Sequence, residues 1–353
     1  MSVSLGNHAH PFFNALSEKV DQYFQQKGVQ KTGNWKIYSK AIVLIAMLIV
    51  NYTLLFAIEN LFVHFLLWGT LGVVFAAIGF NLMHDSAHGS FSSKRWVNEL
   101  TGYSLNLIGG NVFLWKIKHN QIHHVFTNVE GVDDDIDVQP FLRVNAQQKR
   151  YWFHRYQFIY WTIIYGMTYF LWVYIKDFGK YFNKRVGVTP IRKIPLKEHI
   201  IFWVSKVGYL VVFLVLPLIF IGVVKALIGY LIMLFVCGWL IAVVFQLAHV
   251  VENTQFHLPE FDGNELQSEW AVHQILTTSN FATKSKIVNI LAGGLNFQVE
   301  HHLFPRISHV HYPQINKIVR ETCKEFGVQY NEFSNVAKAV VSHVRYLRTM
   351  GLA

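Results

Sequence analysis

The sequence predicts an all-α integral membrane protein in which four transmembrane helices, paired into two hairpins, carry interfacial helices and a cytoplasmic helical cap. Three observations predict it: four long apolar runs, a one-sided distribution of lysine and arginine, and histidines clustered where those runs end. Of the 353 residues 52% are hydrophobic and only 15% are charged, against ~25% charged in soluble domains. Mean hydropathy is +0.28.

The runs justify the spans one by one. Residues 41–58 carry no charge, and 61–82 hold a single ionisable group, His64. Residues 207–224 are uncharged, and so are 226–248 after Lys225. Each approaches the ~20 residues that cross a bilayer core as a helix, which sets spans at about 41–58, 61–82, 203–224 and 226–248. A soluble fold can bury one such helix, but four in two pairs call for lipid.

Charge then orients them. Lys19, Lys27, Lys31, Lys36 and Lys40 precede the first span, while its turn to the second, Glu59-Asn60, has neither Lys nor Arg. Lys94, Arg95, Lys116 and Lys118 follow the second, and Lys180, Lys184, Arg185, Arg192, Lys193 and Lys197 precede the third. One lysine lies in the last turn, and Lys284 and Lys286 come after it. The excess marks the cytoplasmic side, so both termini are expected there. The formal charge of +10 therefore reads as topology, with room for an anionic substrate or acidic redox partner and no call for nucleic acid.

Residues 156–175 are long enough to span, but a fifth crossing would put the histidine clusters on opposite sides. Their density of Tyr and Trp predicts an interfacial helix. Residues 105–115 are too short to cross and are expected at the surface. The remainder, about 84–150 and 250–353, forms the cap of a single domain. In it Ile315, Ile318, Val319 and Thr322 have helical spacing, as do Val336, Val340, Val341 and Val344 behind a Ser334 cap. The first residues lack the pattern of a cleaved signal peptide. Cys237 and Cys323 give no disulfide framework.

Eighteen histidines are present. His84 and His88 end the second run; His119, His123 and His124 follow in H-N-Q-I-H-H; His301 and His302 stand in Q-V-E-H-H. Four-residue spacing puts His84 above His88, and His119 above His123, on one helical face. An adjacent second histidine points about 100° away and reaches a different atom, which suits a site for two metals. One H-x-x-x-H alone is more often a packing feature. Three clusters brought to one membrane face are another matter, because so many imidazoles are costly to desolvate without a partner. His249 ends the fourth run at the same depth and joins the set. His273 is a second-shell candidate. Asp85 and the run Asp133, Asp134, Asp135 and Asp137 could orient imidazoles by accepting their other N–H. His8, His10, His64, His154, His199, His257 and His343 read as ordinary, and His309 and His311 have no evident partner.

Imidazole suits zinc, copper, iron and nickel alike. Eight histidines exceed what a closed zinc site takes, and two redox irons that activate O2 fit better. At a membrane they imply a lipid substrate.

Taken together, H84-D-S-A-H88, H119-N-Q-I-H-H124 and Q298-V-E-H-H302 resemble the three histidine boxes of the membrane fatty-acid desaturases, over nearly the whole chain. The Gln of the last box, the L-F-P after it, T127-N128 and G131-V-D-D-D-I136 resemble the front-end-type, bacterial linoleoyl-CoA-desaturase-like branch. The resemblance implies a non-haem di-iron centre in the cap, with His249 completing the ligands. It implies O2 as co-substrate and removal of two hydrogens from adjacent methylenes, leaving a cis double bond in an acyl-lipid or acyl-CoA. The setting it implies is a bacterial inner membrane. Fused front-end enzymes carry an H-P-G-G haem motif, whereas here His10-Pro11 is followed by Phe12-Phe13. Electrons are accordingly expected from a separate donor, ferredoxin or cytochrome b5 with its reductase. Gln298 stands where the family elsewhere has His, which leaves it a weak ligand, a water-mediated one or a second-shell donor. Related hydroxylases and ketolases share the boxes, and a non-enzymatic metal-binding protein or transporter is the remaining alternative.

Overall fold

A computed structural model describes residues 10–258 and 269–353; His8 and the opening residues read for a signal peptide lie outside them. The chain is mostly helical. In chain order the helices are α1 (Pro11–Lys27), α2 (Trp35–Ala57), α3 (Leu61–His88), α4 (Arg95–Gly102), α5 (Ser104–Leu107) and α6 (Val112–Lys116). A π-helical segment, Ile117–His123, continues α6. Then come α7 (Trp152–Asn183), α8 (Leu196–Phe220), α9 (Val223–His249), α10 (Trp270–Leu276), α11 (Lys286–Leu291), α12 (Gln298–Leu303), α13 (Tyr312–Phe326) and α14 (Val336–Leu352). Two short strands, β1 (Arg185–Val186) and β2 (Thr189–Pro190), pair antiparallel, and β3 (Asn280–Phe281) pairs in parallel with β4 (Glu332–Phe333).

Two compact units emerge, Met1–Gly33 with Lys118–Ile159 and Val244–Ala353, and Asn34–Ile117 with Tyr160–Val243. The second holds α2, α3 and the greater part of α7, α8 and α9. These five helices are each long and apolar enough to cross a membrane. Each of the four expected runs falls largely within one of them, although α2 ends at Ala57 and α8 at Phe220. α2 starts at Trp35 because the Asn34 side chain accepts a hydrogen bond from Lys36 N at 3.0 Å. α3 runs on through a π-helical stretch, Gly79–Met83, so that His84 and His88 form its last turns. α7, expected as an interfacial helix over 156–175, is a continuous helix that by length and composition matches the other four. Small residues let these helices touch backbone to backbone: a Cβ on Gly72 would lie 2.6 Å from the Met233 carbonyl, and one on Gly238 2.6 Å from that of Gly166.

One expectation needs correcting. Residues 105–115 are not a surface stretch: Leu105, Ile108, Val112, Leu114 and Trp115 are buried in this unit. The reason is that α7 and α8 satisfy the loop's carbonyls. Tyr169 Oη donates to Ile108 O, and Lys206 Nζ donates to Gly109 O at 2.7 Å, Val173 O at 2.9 Å and Asp177 Oδ2 at 2.8 Å. A non-spanning apolar segment with its polar backbone paired can be interior.

In the first unit α1 is an amphipathic helix absent from the expectations above. Phe12, Leu16, Val20 and Phe24, four residues apart, pack with Ile275, Phe297, Val299, Leu303, Ile315 and Val319. The Glu269 carboxylate caps its start, accepting from Phe13 N at 2.7 Å and Phe12 N at 3.3 Å. α13 buries Ile315, Val319 and Thr322 as expected. α14 does not bury its valines; its interior face is Ala339, Ser342, His343, Leu347 and Gly351, and its cap is Asn335 rather than Ser334. Close approach decides this: a Cβ on Gly351 would lie 2.2 Å from His154 O, and His343 Nδ1 bonds Val250 O at 2.6 Å.

Candidate metal centre

The second box owes its shape to a local departure from the α-helix. Over Ile117–His123 the backbone makes i→i+5 turns, as in the bond from His124 N to His119 O at 3.1 Å. A π turn is wider than an α turn and is frequent at functional sites. His119 consequently meets both later histidines. Its ring lies 5.0 Å from that of His123 and 4.8 Å from that of His124, and the His119 and His124 Nε2 atoms are 3.2 Å apart.

The end of α9 and helix α12 bring the other histidines of this unit to the same place. One ligand atom from each of His123, His249 and His302 lies within 4.8 Å of the others, and all three residues are buried. His301 points to the other side of α12: its ligand atom is within 4.8 Å of that of His119, and its ring is 4.6 Å from His124. His124 thus sits between the two groupings, 4.4 Å from the His302 ring. Gln298 is part of the triad's surroundings, its side-chain amide 3.0 Å from His249 Nε2 and 3.3 Å from His302 Nε2.

Outer partners fix the tautomers. His123 Nδ1 is 2.8 Å from Asp133 Oδ2, His119 Nδ1 is 3.0 Å from Asp135 Oδ2, and His302 Nδ1 is 2.8 Å from Gln274 Oε1. His301 Nδ1 lies 3.2 Å from Tyr312 Oη. Where Nδ1 meets an oxygen that only accepts, as in His119, His123 and His302, Nε2 is left with its lone pair toward the cluster. His123 Nε2 is buried with no hydrogen-bond partner. A buried, unpaired imidazole nitrogen is costly, and a divalent metal ion held jointly with His249 and His302 removes that cost. The donor set fits iron and its neighbours.

Electrostatics treat the histidines differently. Burial holds His119 and His302 well below the usual imidazole range, so both are neutral and able to ligate. Burial would lower His123 too, but the Asp133 carboxylate outweighs it and raises the ring above its ordinary value. Asp135 is pushed up by burial, yet Lys118 and His119 hold it well below the carboxylate range.

Asn128 ties the triad's supports together. It takes a left-handed conformation (φ 57°) that Asn tolerates better than most residues. Its Nδ2 is 3.0 Å from His249 O, 3.0 Å from Gln255 O and 3.2 Å from Thr277 O, while its N–H reaches Asp133 Oδ2 at 3.0 Å. His273 stands one step further out, with Nε2 3.0 Å from Thr127 O and its ring against His257. Thr127 in turn donates to Gln274 Oε1 at 2.8 Å. Beneath α12, Glu300 accepts from Asn280 Nδ2 (2.6 Å), Tyr330 Oη (3.0 Å) and Asn316 Nδ2 (3.1 Å), and burial pushes it up to about 7. Gln274, Tyr312 and Glu300 were not legible as functional; only adjacency to His273, His301 and His311 marked them. His311 itself has a partner, Nε2 lying 3.2 Å from Thr32 O.

In the other unit His84 and His88 end α3 with ligand atoms within 4.8 Å of each other and both rings against Trp115. Asp85 beside them is buried, within Coulombic range of Lys40.

A chain with three spaced histidine clusters and five membrane-capable helices has counterparts among known proteins. The model of the fatty acid desaturase family matches residues 60–334. The chain belongs to that family. An acyl-lipid (8-3)-desaturase from Physcomitrium patens is 35% identical over 97% of this desaturase and 72% of its own length. Two cyanobacterial proteins named sn-1 linoleoyl-lipid 6-desaturase, from Synechocystis and Arthrospira platensis, are 34% and 32% identical, covering 97% of this chain and 96% and 93% of theirs. An enzyme that desaturates fatty acyl chains, with the membrane as its setting, follows from that membership.

Proposed function

We propose that this desaturase places a cis double bond in the acyl chain of a membrane lipid, using O2 and two electrons from a separate donor, ferredoxin or cytochrome b5 with its reductase. The observation that carries the reading is the convergence of His123, His249 and His302, each buried, with the outer nitrogens of His123 and His302 held by Asp133 and Gln274. The acyl-lipid substrate is favoured over acyl-CoA by the names of the relatives.

In this reading His123, His249 and His302 would hold one iron, His119, His124 and His301 would serve the second, and His84 and His88 are the further ligands that the first box implies. Gln298 adds a weak or water-mediated contact to the triad. Two irons bound there would supply O2 activation and the oxidising power that unactivated methylenes require. The protein's part is positional: Asp133, Asp135 and Gln274 accept the Nδ1 protons and keep each Nε2 available. Glu300 and its three donors anchor α12 from below, and burial of the triad keeps bulk water away.

The proposed topology has four crossings with the site and both termini in the cytoplasm. Parity supports it. His123 and His249 meet within one unit, so the chain between them crosses the membrane an even number of times, although α7, α8 and α9 all lie there. α1 and His119 also share that unit, with α2 and α3 between them. An even count leaves one of the three short of a crossing, and we assign that course to α7. Its density of Tyr and Trp suits a headgroup-level position.

The test is expression in a host that lacks the activity, with mass spectrometry of derivatised fatty acids. New double bonds in glycerolipid acyl chains are expected, and their position is read from the same spectra. Hydroxylated or ketolated products would reassign the chemistry, and bound metal that exchanges across the membrane without lipid change would leave a transporter.

A further inference from the structure

Helix α11 stands apart in its unit: among the described helices there it is the one that buries none of its residues. Its outward face is aliphatic. Ile287 is 71% exposed, Ile290 55% and Leu291 57%, a spacing that puts all three on one side of a helix. The segment is well fixed. Ser285 caps its start by accepting from Val288 N at 3.3 Å, and Gly294 N returns to Asn289 O at 3.0 Å. Gly294 itself has φ +76° and no space for a side chain, since a Cβ would lie 2.5 Å from His309 Cβ. α11 thus holds a rigid aliphatic face outward, seven residues before Gln298.

Lys284 and Lys286 flank that face and are exposed. Aliphatic tips with lysines beside them make the composition of an interfacial helix, with the lysines matched to anionic headgroups. A protein-binding patch would be marked instead by Trp, Tyr or Arg, and α11 has none. The same chain offers five membrane-capable helices, so a lipid surface is at hand. We infer that α11 dips Ile287, Ile290 and Leu291 into the acyl region of the lipid leaflet, with Lys284 and Lys286 at anionic headgroups. The third histidine box is thereby tied to the bilayer surface at a fixed short distance, which gives a membrane-bound acyl chain a constant register against it.

The test uses the full chain in liposomes of phosphatidylcholine with phosphatidylglycerol. Cys237 and Cys323 are both buried, so a polarity-sensitive fluorophore on Ile290→Cys reports from α11, with Glu321→Cys on the exposed side of α13 as reference. The 290 probe is expected to shift to the blue, to be quenched by lipids brominated high on the acyl chain, and to be shielded from iodide; the 321 probe is expected to behave oppositely. Iodide access at 290 equal to that at 321, without bromolipid quenching, overturns the inference. Shielding from both quenchers overturns it too, because a protein surface, a second copy or the electron donor, would then cover the face. Lys284→Glu with Lys286→Glu should weaken bromolipid quenching about twofold or more in anionic vesicles and leave it unchanged in neutral ones; equal quenching in both removes the headgroup assignment. Size-exclusion profiles matching the parent establish that the variants fold. Lipid contact is read directly, so the result stands apart from the reaction catalysed.

Discussion

His64 and His123 are both buried histidines on helices, one in each unit, and the chain uses them in opposite ways. His64 is closed off on its own helix, with Nε2 accepting from Trp68 Nε1 at 3.1 Å. His123 has Nδ1 fixed by Asp133 and presents Nε2, unpartnered, toward His249 and His302. Lys206 repeats the first pattern at higher charge, with three acceptors around its Nζ. Burial of a polar group therefore does not mark a site. What marks one is a set of buried groups whose outer atoms are satisfied while their inner atoms converge.

The sharpest way to break this comparison is to remove a converging nitrogen. His302→Ala should abolish desaturation, a loss of at least about 100-fold, together with bound iron; retention of two irons per chain, measured by elemental analysis, would remove His302 from the ligands. Removing only an outer partner should cost less. Asp133→Asn is expected to lower iron affinity or turnover roughly 10–100-fold, and an unchanged metal titration would show that the carboxylate does not orient His123.

His343 tests the closed class by pH. Burial lowers its pKa to about 4 from 6.5, so the unfolded chain binds its proton first as pH falls. Stability is thus complete above pH 6.5 and declines from there toward pH 4, by about 2 kcal/mol at pH 5. His343→Gln should flatten the decline in thermal midpoint between pH 7 and 5, with iron content intact; an unaltered slope would show that another group governs it.

Two smaller effects refine the boundary. Gln298→Ala should reduce activity within about tenfold and less than His301→Ala; equal losses would make the amide a full ligand. His64→Leu should cost about 1 kcal/mol, one net hydrogen bond, and leave iron stoichiometry alone. A fall in iron content there would erase the distinction between closed and converging histidines.

Much of the centre was legible because its signals are local. The boxes are short strings, and His249 follows from its place at the end of an apolar run. Asp133 and Asp135 were visible as an acidic run, though a run of that kind gives no hint which imidazole each carboxylate meets. The even count of crossings rests on which histidines meet, a global property that no local window contains. The α14 valines misled because the helix packs through Ala339, Ser342 and Gly351, where closeness of backbones matters more than hydrophobicity.

The sequence by itself determined the membrane class, the four long runs and the identity of the histidines, since hydrophobic length, charge and ligand type reside in consecutive residues. Tertiary structure alone decided which histidine faces which. A π turn after α6 redirected His124, Asn128 locked the loop onto the end of α9, and Gln274 and Tyr312 supplied partners from helices far along the chain. Directions of lone pairs depend on backbone turns and on hydrogen bonds between distant segments, and neither is written at any single position.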